Sequence, residues 1–239
     1  NPEEGGMGEN LYLSDDAIAK DIPIGFTFNY YGKSYSTINI CSNGWAAFED
    51  VDIPYFWNFS IPFPMGPDAM LAVFYDDLDD NSKEPFSDLN ENCLYDMGEP
   101  FEDRNFNEQW DPGEDFDVFS YYDTDNDRFI IQWDNVSNSE DDENCPDCIK
   151  ETFQLVFLDQ DIYENIVNQG DIIFIYEEIH NIDENGNFST IGIESPNQNY
   201  GSQITFNNSN SDIISNLNNG YAIRFSADYN PLGFNDNEE

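Results

Sequence analysis

Between Asp88 and Asp115 the chain reads DLNENCLYDMGEPFEDRNFNEQWDPGED, with carboxylates and side-chain amides returning at near-regular spacing. Alternate residues of a tight loop point inward together, and a hard cation such as calcium takes 6–8 oxygens from such a loop. Laid on the twelve-position calcium loop, the stretch fits twice. The first copy places Asp88, Asn90 and Asn92 at positions 1, 3 and 5, the Leu94 carbonyl at 7, Asp96 at 9 and Glu99 at 12. The second begins fifteen residues later, with Asp103, Asn105 and Asn107, the Gln109 carbonyl, Asp111 and Glu114. Each ends in D-x-G-E, as DMGE and DPGE.

Asn at positions 3 and 5 supplies oxygen without adding charge, and Glu at 12 can close the shell with two oxygens. The expectation is about two calcium ions, with magnesium disfavoured because it prefers a smaller octahedral shell. Two features depart from the pattern. Position 6, usually glycine for the sharp turn, is Cys93 and Glu108, and no helical pattern flanks either copy. Asp76, Asp77, Asp79 and Asp80 stand just upstream, where they could complete a shell. Phe101, Phe106 and Trp110 could form a small local core once metal draws the loop together.

The elements that must position this stretch are strands. IPIGFTFNYYG alternates in period two and ends at Gly32, KSYSTINICSNGWAAF holds two strands about Ser42-Asn43-Gly44, and AMLAVFY has the length of a buried strand. DFDVFSYYDTDNDRFIIQWDNV reads as strand, turn, strand, with DTDND as the hairpin turn. ETFQLVFL, GDIIFIYEEI, FSTIGIES, SQITFNN and GYAIRFSA continue the series, and only SDIISNLNNG hints at a helical turn. The expected fold is all-β, an antiparallel sandwich of jelly-roll type. It spans 20–226, with a calcium-binding insertion at about 79–115. Residues 1–19 are read as an N-terminal linker or first edge segment, and 227–239 as a C-terminal linker. Residues 50–68, rich in Pro and aromatics, read as an ordered loop packed on the sheet.

Seven Lys and Arg stand against fifty Asp and Glu, a formal net charge of −43. Nucleic acid is excluded as a partner, because phosphate binding needs a basic patch. An anionic membrane surface is excluded on the same ground, and cations are the favoured partners. Such acidity often accompanies disorder, but 16% aromatic and 39% hydrophobic residues can fill a core. No apolar run reaches the length of a membrane helix, and no basic-then-apolar leader opens the chain. Cys41, Cys93, Cys145 and Cys148 read as extracellular disulfides, with Cys145–Cys148 across a tight loop and Cys41–Cys93 by elimination.

Taken in order, these segments resemble a known module. DIPIGFTFNYYGKSYSTINICSNGWAAF looks like the opening of a secreted bacterial β-sandwich related to the nidogen extracellular domain. GPDAMLAVFYDDLDD, DRFIIQWDNV, ETFQLVFL, GDIIFIYEEI, STIGIES and GYAIRF resemble its later strands, in the same order. The resemblance implies an accessory domain of a large exported or cell-surface protein, in some cases one using type IX secretion. The insertion resembles calcium repeats found inside some of these proteins and, more distantly, thrombospondin type 3 repeats. By position this implies the ligands already named. No catalytic role is implied.

The leading expectation is a calcium-stabilised extracellular module contacting a glycan, a protein ligand or adjacent domains of its own chain. The alternative is a carbohydrate-binding module or glycosidase, with an Asp/Glu pair doing acid–base work and Tyr55, Phe56 and Trp57 stacking on sugar. A peptidase is disfavoured. The sole histidine, His180, reads as a surface-turn residue, and Cys41 in CSNGW belongs to a hairpin.

Overall fold

Strand residues that alternate toward one face must bury that face against a second sheet, and here two antiparallel sheets do so. The computed structural model describes residues 8–57, 59–79, 84–90, 92, 94–103, 108–112, 117–138, 149–163, 169–180, 189–207, 209–211 and 217–226. Among these described residues the first sheet has six strands: β1 (Glu9–Asn10), β6 (Val118–Asp123), β7 (Arg128–Ser137), β8 (Lys150–Leu158), β9 (Ile172–Glu178) and β13 (Tyr221–Phe225), in that order. The second has seven, ordered β12 (Ser209–Asn210), β11 (Gly201–Phe206), β10 (Thr190–Glu194), β5 (Met70–Tyr75), β4 (Trp45–Ala47), β3 (Lys33–Cys41) and β2 (Ile18–Tyr30). The all-β sandwich expected from period-two patterning is the architecture found. Most of SDIISNLNNG lies outside the described residues.

The core lies between the sheets. Phe129, Ile131 and Trp133 of β7, Phe153, Leu155 and Phe157 of β8, and Phe174 and Tyr176 of β9 face Phe28, Ile38, Ile40, Leu71 and Val73. Burying each such side chain is worth about 1.5–3 kcal/mol. Outward positions of the first sheet stay polar, as where the Gln154 amide donates to Gln132 at 2.7 Å. Buried polar tips reach across the interface to backbone carbonyls. Trp133 Nε1 donates to Cys41 at 2.9 Å, and the Tyr176 hydroxyl donates to Val73 at 2.7 Å. Each satisfies a group whose burial without a partner would cost about 1–3 kcal/mol.

All six residues of β5 are buried because the second sheet is covered on its outer face too. Leu71 and Val73 enter the main core, while Met70, Ala72 and Tyr75 meet Phe59 and Ile61 of the 50–68 loop. Side chains of the sheet and of the turn between β10 and β11 hold that loop. Thr190 Oγ1 donates to Phe59, the Ile61 amide donates to Gln203, the Phe63 amide to Glu194, and Gln198 to Gly66. The expected ordered loop is therefore a second, smaller core.

The Ser42-Asn43-Gly44 turn sets the edge from which the insertion leaves. The amides of Val73 and Phe74 both donate to the Gly44 carbonyl, where β5 bulges against β10. Gly44 sits at φ +72, and a Cβ there would lie 1.9 Å from the Phe74 carbonyl oxygen. Buried Asn43 joins three segments: its Nδ2 donates to Asp16 and to the Pro54 carbonyl, and its Oδ1 accepts the Leu78 amide.

Candidate metal-binding insertion

Downstream of β5 the chain crosses to the first sheet, where the Asp79 amide donates to the Ser137 carbonyl at 3.0 Å. The insertion then closes on its own stem. Glu84 and Asp111 pair through the Glu84 amide and the Asp111 carbonyl, and Glu84 Oε2 accepts the Asp111 amide at 3.1 Å. Phe86 and Phe101 form a bridge, with the Ser87 amide donating to Pro100 and the Glu102 amide to Pro85.

Among the described residues, four aromatics fill the centre. Tyr95 stacks on Trp110 at 4.4 Å, and edge contacts at 5.7–5.9 Å link Phe86 to Tyr95, Phe86 to Trp110 and Tyr95 to Phe101. The Trp110 indole donates to the Glu84 carbonyl. Phe101 and Trp110 of the expected local core do meet through Tyr95, joined by Phe86; Phe86 and Tyr95 were missed by the sequence reading. Phe106 lies outside the described residues. Buried Glu84 was missed as well; its only sequence signal is its place next to Pro85.

The first copy of the oxygen-rich repeat curls around Asp96. One Asp96 oxygen accepts both the Asn90 amide at 2.6 Å and the Asn92 amide at 2.8 Å. Asp88 Oδ1 accepts the backbone amides of Asn90 and Asn92, and Asn92 Oδ1 accepts that of Leu94. Glu99 is buried, and its two oxygens accept the amides of Leu89 and Asp96 at 2.8 and 2.9 Å. Gly98 takes φ +103. The loop thus brings Asp88, Asn90, Asn92, Asp96 and Glu99 into one hydrogen-bonded knot.

In the second copy Asp103 Oδ2 accepts the Glu108 amide at 2.9 Å. Glu108 stands at φ +61, so this non-glycine residue adopts the left-handed turn that position 6 requires. Gln109 and Asp111 continue into the Glu84 stem, whereas Asn105, Asn107 and Glu114 lie outside the described residues, as do Cys93 and Asp80. Among the described residues no group of three or more Asp, Glu, His or Cys side chains is gathered as a metal cluster. The donor set of the first loop is nonetheless all oxygen. The Asn90 and Asn92 side-chain oxygens accept the backbone amides of Asn92 and Leu94, at 3.1 and 2.7 Å.

Three other candidates resolve differently. Cys41, the last residue of β3, is a free, buried thiol, which overturns its expected pairing with Cys93; its Sγ lies 3.4 Å from the Pro54 carbonyl. Burial pushes its pKa up to about 12, the reverse of an activated nucleophile. Cys145 and Cys148 lie outside the described residues. His180 is half-buried rather than a free turn residue. Its backbone amide donates to both oxygens of buried Glu151, at 3.1 and 2.8 Å, and Glu151 raises the imidazole pKa. Glu194 has a carboxyl raised to about 7 by burial, partly offset by the Phe63 amide and increased by Asp68. One Glu194 oxygen accepts that amide, and the other is buried without a hydrogen-bond partner among the described residues. The side chain is fully buried.

The nidogen-related family model matches residues 4–91, which run from the first strand through the Asn43-Gly44 turn and β5 into the first oxygen-rich loop. No curated protein and no solved structure matches the chain. No helix among the described residues is long and apolar enough to cross a membrane.

Proposed function

We propose that this chain is a calcium-stabilised extracellular interaction module, an accessory part of a larger secreted or cell-surface bacterial protein. The observation that carries the reading is the convergence of Asn90 and Asn92 on one Asp96 oxygen, with Asp88 and Glu99 closing the same loop. Bound calcium would supply positive charge that holds these oxygens together. Asp88, Asn90, Asn92, the Leu94 carbonyl, Asp96 and Glu99 would hold one ion. Asp103, Asn105, Asn107, the Gln109 carbonyl, Asp111 and Glu114 would hold a second. The nidogen-related match over the opening strands supports the extracellular part of the reading. No catalytic step forms part of it.

The test is calorimetric titration of chelator-treated protein with calcium and, separately, magnesium. About two calcium ions are expected to bind, with a change in the near-ultraviolet dichroism of the Trp110–Tyr95 stack. Asp88→Ala combined with Asp96→Ala should remove one ion and leave the other. Absence of calcium heat together with an unchanged near-ultraviolet spectrum would overturn the proposal.

A further inference from the structure

The loop that covers the second sheet turns some aromatics in and others out. Phe56 packs edge-on against buried Tyr75 at 5.0 Å. On either side of it, Tyr55 and Trp57 are 64% and 65% exposed. Their exposure is not slackness in the loop. The Trp57 amide donates to the Tyr75 hydroxyl at 2.8 Å, and that hydroxyl lies 3.4 Å from the Tyr55 carbonyl. The preceding Pro54 carbonyl accepts the Asn43 side chain at 3.0 Å. Two large rings are therefore held in water by a backbone fixed from beneath.

The root of the same loop already holds one cation. Lys20 lies between Asp50 and Asp52, 2.9 and 2.5 Å from their carboxylates, which remain mostly exposed. The chain carries fifty acidic residues against seven Lys and Arg. Its field therefore draws in cations and repels anions. Exposed Trp and Tyr faces attract guanidinium and ammonium groups, Arg most often, and nearby carboxylates add charge-assisted hydrogen bonds.

We propose that the exposed Tyr55 and Trp57 rings, on a chain of strongly negative net charge, dock an arginine-bearing basic segment of a protein partner. Guanidinium groups stack on the two rings while the acidic surroundings hold the charge. This rests on the reading of the chain as an interaction module and names the partner's chemistry.

The experiment is calorimetric binding of a short synthetic peptide of glycine, serine and arginine at physiological salt, to wild type and to the Tyr55→Ala/Trp57→Ala double variant. A matched lysine peptide and neutral cello-oligosaccharides serve as further probes. Both substituted side chains point into solvent, so the variant should keep its thermal midpoint. The expected result is that the arginine peptide binds wild type about tenfold more tightly than the variant. Equal binding to both proteins would reduce the attraction to net charge alone and overturn the proposal. So would no binding at all, or binding of the oligosaccharide in place of the peptide. None of these outcomes bears on the calcium titration, so the two readings fail separately.

Discussion

At the residue scale, two positions carry more than their types announce. Gly44 takes a left-handed φ and leaves no room for a Cβ beside the Phe74 carbonyl. Gly44→Ala is expected to cost roughly 2–4 kcal/mol, read as a lowered denaturant midpoint with an unchanged slope. A wild-type midpoint would show that the turn has another conformation open to it. Glu194 gives a pH signature. Its folded pKa of about 7 lies above its ordinary value of 4.5, so the folded state binds the proton more tightly than the unfolded state. The resulting stability is present below about pH 4.5 and is lost as pH rises through 7. Glu194→Gln should therefore be more stable than wild type at pH 8, by roughly 2 kcal/mol, and no more stable at pH 4. Denaturant melts at the two pH values check this, and an equal difference at both would remove ionisation as the cause.

At the element scale, the insertion and the covering loop are small cores added to the sandwich. Each is held by aromatic packing and by side chains that capture backbone amides. Trp110 stacks on Tyr95, contacts Phe86 and caps the Glu84 carbonyl. Trp110→Ala should loosen the insertion without unfolding the sheets. Hydrogen exchange should quicken at the amides of Leu89 and Asp96, both held by Glu99, while the global midpoint moves by less than about 1 kcal/mol. A global loss of the 3–5 kcal/mol typical of a core Trp would show that the insertion is continuous with the main core. The paired oxygen-donor series was legible because its spacing is periodic. Glu84, Phe86 and Tyr95 were not, because they meet only when the stem closes on itself.

At the scale of the whole molecule, the sandwich folds against a net charge of −43. Like charges spread over one surface repel most when they are packed together, and salt screens them within about 8 Å at physiological strength. With chelator present, raising sodium chloride from low to physiological concentration should lift the thermal midpoint by roughly 5 °C. A flat or falling midpoint would mean that local pairs, such as Lys20 with Asp50 and Asp52, outweigh the overall repulsion.

Period-two alternation determined by itself that the chain forms strands with one buried face. The Asn-Gly pair placed the hairpin at Asn43-Gly44, and the apolar run placed β5 in the interior. Such signals are local: each depends on neighbours a few residues away. Tertiary structure alone decided that Cys41 stays a free thiol beneath the Pro54 carbonyl, and that Phe56 turns in while Tyr55 and Trp57 turn out. It alone decided that Glu194 is sealed under the Phe63 amide and that His180 lies against Glu151. Those outcomes depend on burial and on partners as many as 131 residues apart along the chain. A residue's solvent exposure, and with it its charge and reactivity, is set by what the fold lays over it.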